Sequence, residues 1–123
     1  MSITARAIIV GLFFVFVFLS GIWLSKTGRP LNVAISTLHK LISLALGVFL
    51  LLTVYRQNQL TPLVAVEWTA IVVNGFCFLG MVASGGFLTS DKQMPAAVLR
   101  VHQVLPALAV VSTATTLYLL LGR

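Results

Sequence analysis

An all-α integral membrane four-helix bundle, built from two repeated helix hairpins, is the fold class this sequence predicts, and three observations predict it. The chain is 59% hydrophobic and only 8% charged over 123 residues, with a mean hydropathy of +1.09. A soluble domain of this size leaves too much of its surface facing water to hide so much apolar area. The apolar residues fall into four runs, each near the ~20 residues that cross a ~30 Å hydrocarbon layer. Polar landmarks recur at matched spacing in the two halves. Lipid bilayer is therefore the expected surrounding, and 1–123 is expected to form a single transmembrane domain with spans at about 7–25, 31–55, 62–86 and 95–121.

The first run follows Met1 to Arg6, a start that resembles a signal peptide. It continues to Leu24 through Phe13, Phe14, Phe16 and Phe18, which predicts an uncleaved first span. Lys26, Thr27, Gly28 and Arg29 make a turn. Pro30 then suits the first position of a helix, where its missing N–H is not needed. Arg56, Gln57, Asn58 and Gln59 form the next polar break, and Thr61-Pro62 reads as a cap and first helical residue. The third span ends near Gly85 and Gly86. Ser90, Asp91, Lys92 and Gln93 form the third turn, and Pro95 opens the fourth span. Connections this short predict antiparallel neighbours.

The halves repeat in their polar residues. Ser20-Gly21-Ile22-Trp23-Leu24-Ser25 parallels Ser84-Gly85-Gly86-Phe87-Leu88-Thr89, and each is followed by a polar turn and a proline. His39 lies nineteen residues after Ser20, and His102 eighteen after Ser84. Thr53 and Tyr55 follow the first histidine at offsets of fourteen and sixteen, as Thr116 and Tyr118 follow the second. Each repeat holds an even number of spans, so both cross in the same sense. The histidines are expected at one depth, ~10 to 13 Å below one surface at ~1.5 Å per helical residue.

Ionisable side chains are costly in a membrane and usually face a cavity, a partner or a cofactor. A haem iron has two axial positions on opposite faces of a flat ring, and a histidine from each of two helices fills both. The expected cofactor is one haem b with His39 and His102 as its metal ligands. It is held noncovalently, since no Cys-x-x-Cys-His motif is present. The same residues allow two other readings: separate chlorophyll-type pigments, or interhelical hydrogen bonds in a purely structural subunit. Ser36, Ser43 and Gly47 share the face of His39, while Pro95, Pro106 and Ala109 share that of His102. These mainly small residues leave room beside a ligand, and small residues also simply let helices approach. Pro106 lacks the N–H that the His102 carbonyl would receive, which predicts a local bend. Lys40 and Arg100 are the expected propionate partners, with snorkelling to head groups as the other use.

With these residues in place, the chain resembles the four-helix transmembrane b-type cytochromes, a broad group that includes the ascorbate-dependent and respiratory cytochrome b subunits. The likeness covers the whole chain as a four-span hairpin repeat with His39 and His102 in the ligand positions. It implies an electron-transfer subunit working beside other redox subunits. Those families often carry four histidines and two haems, one near each surface. This chain has two histidines, so one haem near the turn side could not by itself connect both faces.

The remaining features narrow the alternatives. A net charge of +6 and a pI near 10.5 would suggest nucleic acid in a soluble protein. Here the cations sit at the ends of apolar runs, where lysine and arginine meet head groups, so no nucleic-acid partner is expected. Lone Cys77 excludes an intrachain disulfide. Glu67, Trp68 and Asn74 mark a candidate quinone or proton site at the other surface, against the plainer reading of a carboxylate beside a helix N-terminus. Small four-span exporters use a carboxylate in the first helix, and this first span has none. No nucleophile with its base and no phosphate loop is present. A prokaryotic inner membrane is the expected location. Lys26, Arg29, Lys40, Lys92 and Arg100 outnumber Arg6, Arg56 and Arg123, which directs the turns toward the cytoplasm; with Lys40 and Arg100 assigned to propionates the count is three against three and gives no direction.

Overall fold

The computed structural model describes residues 1–90 and 93–123, and the described residues contain helices and no strand. The helices are α1 (Ile3–Lys26), α2 (Val33–Leu60), α3 (Ala65–Leu88) and α4 (Ala96–Leu121). All four are long and apolar enough to cross a membrane. They form two compact units, residues 1–62 and 63–123. Each unit is an antiparallel hairpin, hairpin one from α1 and α2, hairpin two from α3 and α4.

The helix ends differ from those expected, each for a local reason. Helix α1 starts at Ile3 because Ser2 is an effective N-cap, its hydroxyl accepting from Ala5 N–H at 3.1 Å. Helix α2 starts three residues beyond Pro30, because the Asn32 side chain accepts from Ile35 N–H at 3.1 Å. An amide that satisfies a first-turn donor wins over a proline that merely lacks one. In the turn between them Gly28 adopts φ +70°, a conformation glycine reaches without strain.

Arg56 to Gln59, expected as a break, form the last turn of α2 instead. Arginine and glutamine are good helix formers, so the helix runs on through them. The helix stops where Pro62 forces Thr61 into extended backbone, with φ −149° and ψ 122°. Thr61 and Pro62 therefore do not start α3. That helix begins at Ala65, and the Glu67 carboxylate folds back to accept the Val64 N–H at 2.9 Å. Pro95 immediately precedes α4. Asp91 and Lys92, expected in the third turn, lie outside the described residues.

Within hairpin one, Val10 and Ser20 on α1 are buried with Ile35, Ser36, Leu46, Leu50 and Thr53 on α2. Phe13 and Phe49 pack as tilted rings 6.1 Å apart. Hairpin two buries Glu67, Asn74 and Ser84 with Ala109, Thr113, Thr116, Leu117 and Leu120. Leu51, Phe76 and Val82 remain about 70% exposed. Large apolar groups thus lie outside and several hydroxyls inside, the reverse of a water-soluble fold. Some of the buried hydroxyls are satisfied by their own helices: Thr53 donates to the Phe49 carbonyl at 2.8 Å, and Thr116 to the Ser112 carbonyl at 2.9 Å.

Candidate functional site: two serine-held histidines

His39 and His102 are each the seventh residue of their helix, counting from Val33 and Ala96. Each ring reaches across its own hairpin to the preceding helix. Ser20 Oγ lies 2.9 Å from His39 Nδ1, and Ser84 Oγ lies 2.9 Å from His102 Nδ1.

The direction of these bonds follows from counting protons. A serine hydroxyl has one to give. Ser20 donates it to the Val17 carbonyl at 3.0 Å, and Ser84 donates to the Gly80 carbonyl at 2.7 Å. With that proton directed at a carbonyl, each serine oxygen is placed to accept from an imidazole that carries its proton on Nδ1. Nε2 holds the lone pair in that tautomer and is the nitrogen able to ligate a metal.

A glycine follows each serine and sets the ring's position. A Cβ on Gly21 would lie 3.1 Å from His39 Cε1, and one on Gly85 would lie 3.0 Å from His102 Cε1. Both rings rest against bare backbone, and any larger residue would push them away. Sequence reasoning used these serines and glycines as landmarks of the repeat and missed them as parts of the site. The signal was already present, since a Ser-Gly pair precedes each histidine at nearly equal spacing.

The other candidate residues are placed as follows. Ser43 is half-buried one turn beyond His39 and donates to the His39 carbonyl at 2.7 Å. Pro106 occupies the corresponding place after His102, half-buried inside α4, which continues through it. Proline cannot donate to the His102 carbonyl, so the two helices treat the turn after the histidine differently. Lys40 and Arg100 are exposed. At ~100° per residue, Lys40 is turned about a quarter around α2 from His39, and Arg100 lies on nearly the opposite side of α4 from His102.

The residues singled out toward the opposite surface do not gather into one site. Glu67 is 6% exposed and accepts from Arg123 Nε at 3.0 Å, in addition to the Val64 N–H. Trp68 faces outward, 46% exposed. Asn74 Oδ1 accepts from the Ser112 and Thr113 hydroxyls at 2.8 and 3.0 Å, a satisfied cluster tying α3 to α4. Beside it an apolar groove of about 370 Å³ runs past Ala70, Cys77, Leu108 and Ser112.

Among the described residues, no three His, Cys, Asp or Glu side chains come together as a metal-ion site. Side chains alone therefore supply one imidazole per hairpin. Comparison with protein-family models, with curated proteins and with solved structures yields no match to this chain.

Proposed function

We propose that this protein is a membrane electron-transfer subunit that holds one noncovalent b-type haem, with one axial ligand from each hairpin, His39 and His102. In this reading the hairpins are two copies of one unit, and the protein works beside other redox subunits in a prokaryotic inner membrane. The observation that supports it is a duplicated geometry: a histidine at the seventh position of its helix, with Nδ1 2.9 Å from a serine hydroxyl and its ring against a glycine, occurs once in each hairpin.

The donor set fits haem better than a bare metal ion. Structural and catalytic metal sites take three or four side-chain ligands, whereas haem brings four equatorial nitrogens and asks the protein only for axial ones. When bound, haem supplies a one-electron iron couple. The chain's part is to present both Nε2 atoms in the ligating tautomer and to keep the rings from rotating. Filling both axial positions favours electron transfer over chemistry at the metal. Lys40 and Arg100 serve the propionates in this proposal, their long side chains bending back toward the polar edge of the ring. Ser43 and Pro106 shape the turn beyond each ligand. An electron partner is needed at the near surface, and a quinone is one candidate for completing a crossing.

The absorption spectrum of purified protein tests the reading. Split bands of reduced six-coordinate haem are expected. Far-red bands would instead mark a chlorophyll-type pigment. A colourless protein that does not take up added haemin would leave the Ser–His bonds as helix-to-helix staples in a structural subunit, a role their position inside each hairpin also suits.

Ser20→Ala and Ser84→Ala provide a sharper measurement. Each removes the acceptor that fixes the ring tautomer, and loss of such an outer partner typically costs about 10- to 100-fold in metal-site affinity. Titration of apoprotein with haemin should show weakening in that range for either variant. A wild-type affinity in both would mean that the serines do not position the ligands.

A further inference from the structure

We infer that Arg6, with Thr53 and the ring of Phe49, forms an anion site at the open end of hairpin one, and that the site takes a phosphate group. Its depth favours the head group of an anionic phospholipid as the source. The inference is independent of the haem reading.

Arg6 is the fourth residue of α1, about 5 Å along the helix from its start. A 24-residue helix is ~36 Å long and overreaches a ~30 Å hydrocarbon core, which puts its first turn among head groups. The guanidinium is held there. Its Nη1 donates to Thr53 Oγ1 at 3.1 Å, and its carbon lies 5.5 Å from the centroid of the Phe49 ring. Thr53 gives its own proton to the Phe49 carbonyl and so can only accept from Arg6. The Nε–H of Arg6 is buried and has no acceptor. With Nη1 engaged and Nε occluded, Nη2 is the donor an oxyanion reaches first, and a shift of the side chain brings the Nε–H to a second oxygen.

Hairpin one cannot supply that anion. Residues 1–62 contain neither aspartate nor glutamate, and the first turn of α1 has no acid, although the positive end of a helix favours one. Hairpin two meets the same need internally, with Glu67 at the start of α3 bound to Arg123. Arg56, one turn beyond Thr53 and exposed near the end of α2, adds a second cation to this end of hairpin one. A buried, unpaired guanidinium donor is expensive in a membrane. Phosphate diesters are the abundant anions at that depth.

Full-length protein in detergent, stripped of lipid and titrated with phosphatidylglycerol, can be followed by native mass spectrometry. Wild type is expected to retain the lipid, and Arg6→Gln to bind it about tenfold more weakly, as for loss of a charge-assisted bidentate contact. Arg6→Lys should fall between, since an ammonium keeps the charge without the planar edge. Circular dichroism checks folding. If Arg6→Gln loses helix, Thr53→Val, which removes only the anchor of the guanidinium, carries the test with a smaller loss in the same direction. Displacement of the lipid from wild type by excess inorganic phosphate supports the site and names the free ion as its ligand. Equal lipid binding by wild type and the folded variants overturns the proposal.

Discussion

Purified His39→Ala and His102→Ala proteins should each lose the same cofactor, and each should lose it almost entirely. An axial histidine is the direct bond between chain and iron in a noncovalent b-type site. Its removal should cost more than the roughly 10- to 100-fold that follows loss of an outer-shell partner. The two changes should have equal effect because the two histidines are equally placed: each is the seventh residue of its helix, each has Nδ1 2.9 Å from a serine, and each lies against a glycine. Absorption spectra of the variants against wild type make the measurement. Residual haem in either variant should be five-coordinate and should bind carbon monoxide, which the intact protein should bind poorly with both axial positions filled. Loss of cofactor from only one variant, or removal of a different pigment by each, would rule out a shared haem.

The second large effect concerns stability. Glu67→Ala should destabilise hairpin two by about 3 kcal/mol, near the lower end of what removing one member of a buried ion pair costs. The lower end applies because the pair lies at helix ends, where water and head groups can partly compensate. Glu67 and Arg123 side chains are 6% and 12% exposed and meet at 3.0 Å, so alanine leaves a nearly buried guanidinium without its carboxylate. It also removes the acceptor of the Val64 N–H, and an N-terminal cap is worth about 1 kcal/mol. Glu67→Gln keeps an oxygen for that N–H and should lose less. The double variant Glu67→Leu/Arg123→Leu should be less destabilised than Glu67→Leu alone, because no buried charge is then stranded. Denaturant unfolding in mild detergent, read by circular dichroism, checks all of these. A Glu67→Ala protein within about 0.5 kcal/mol of wild type, the range of an ordinary surface change, would mean that the pair does not hold these helix ends together.

Much of this architecture was legible in the residues themselves. Four apolar runs of spanning length predicted four helices. The spacing of His39 and His102 from the preceding polar turns predicted their matched place along α2 and α4, because depth along a helix depends only on counting residues. The helix ends were less legible. Pro30 and Pro62 are strong signals for a helix start, yet Asn32 and Glu67 decided the matter by satisfying first-turn N–H groups. Which of several nearby caps prevails depends on where the chain arrives from the turn.

The tertiary structure alone decided which side chains meet. That Ser20 and Ser84 hold the histidines, that Gly21 and Gly85 seat them, and that Glu67 takes Arg123 all depend on the rotation of each helix about its axis. In a water-soluble helix, alternation of apolar and polar faces reveals that rotation. Here the outward-facing side is as apolar as the packed side, with Leu51 and Phe76 outside and Leu46 and Leu120 inside, so hydrophobicity carries little information about facing. The sequence alone determined how far along its helix each polar residue sits; only packing within each hairpin determined which partner it turns toward.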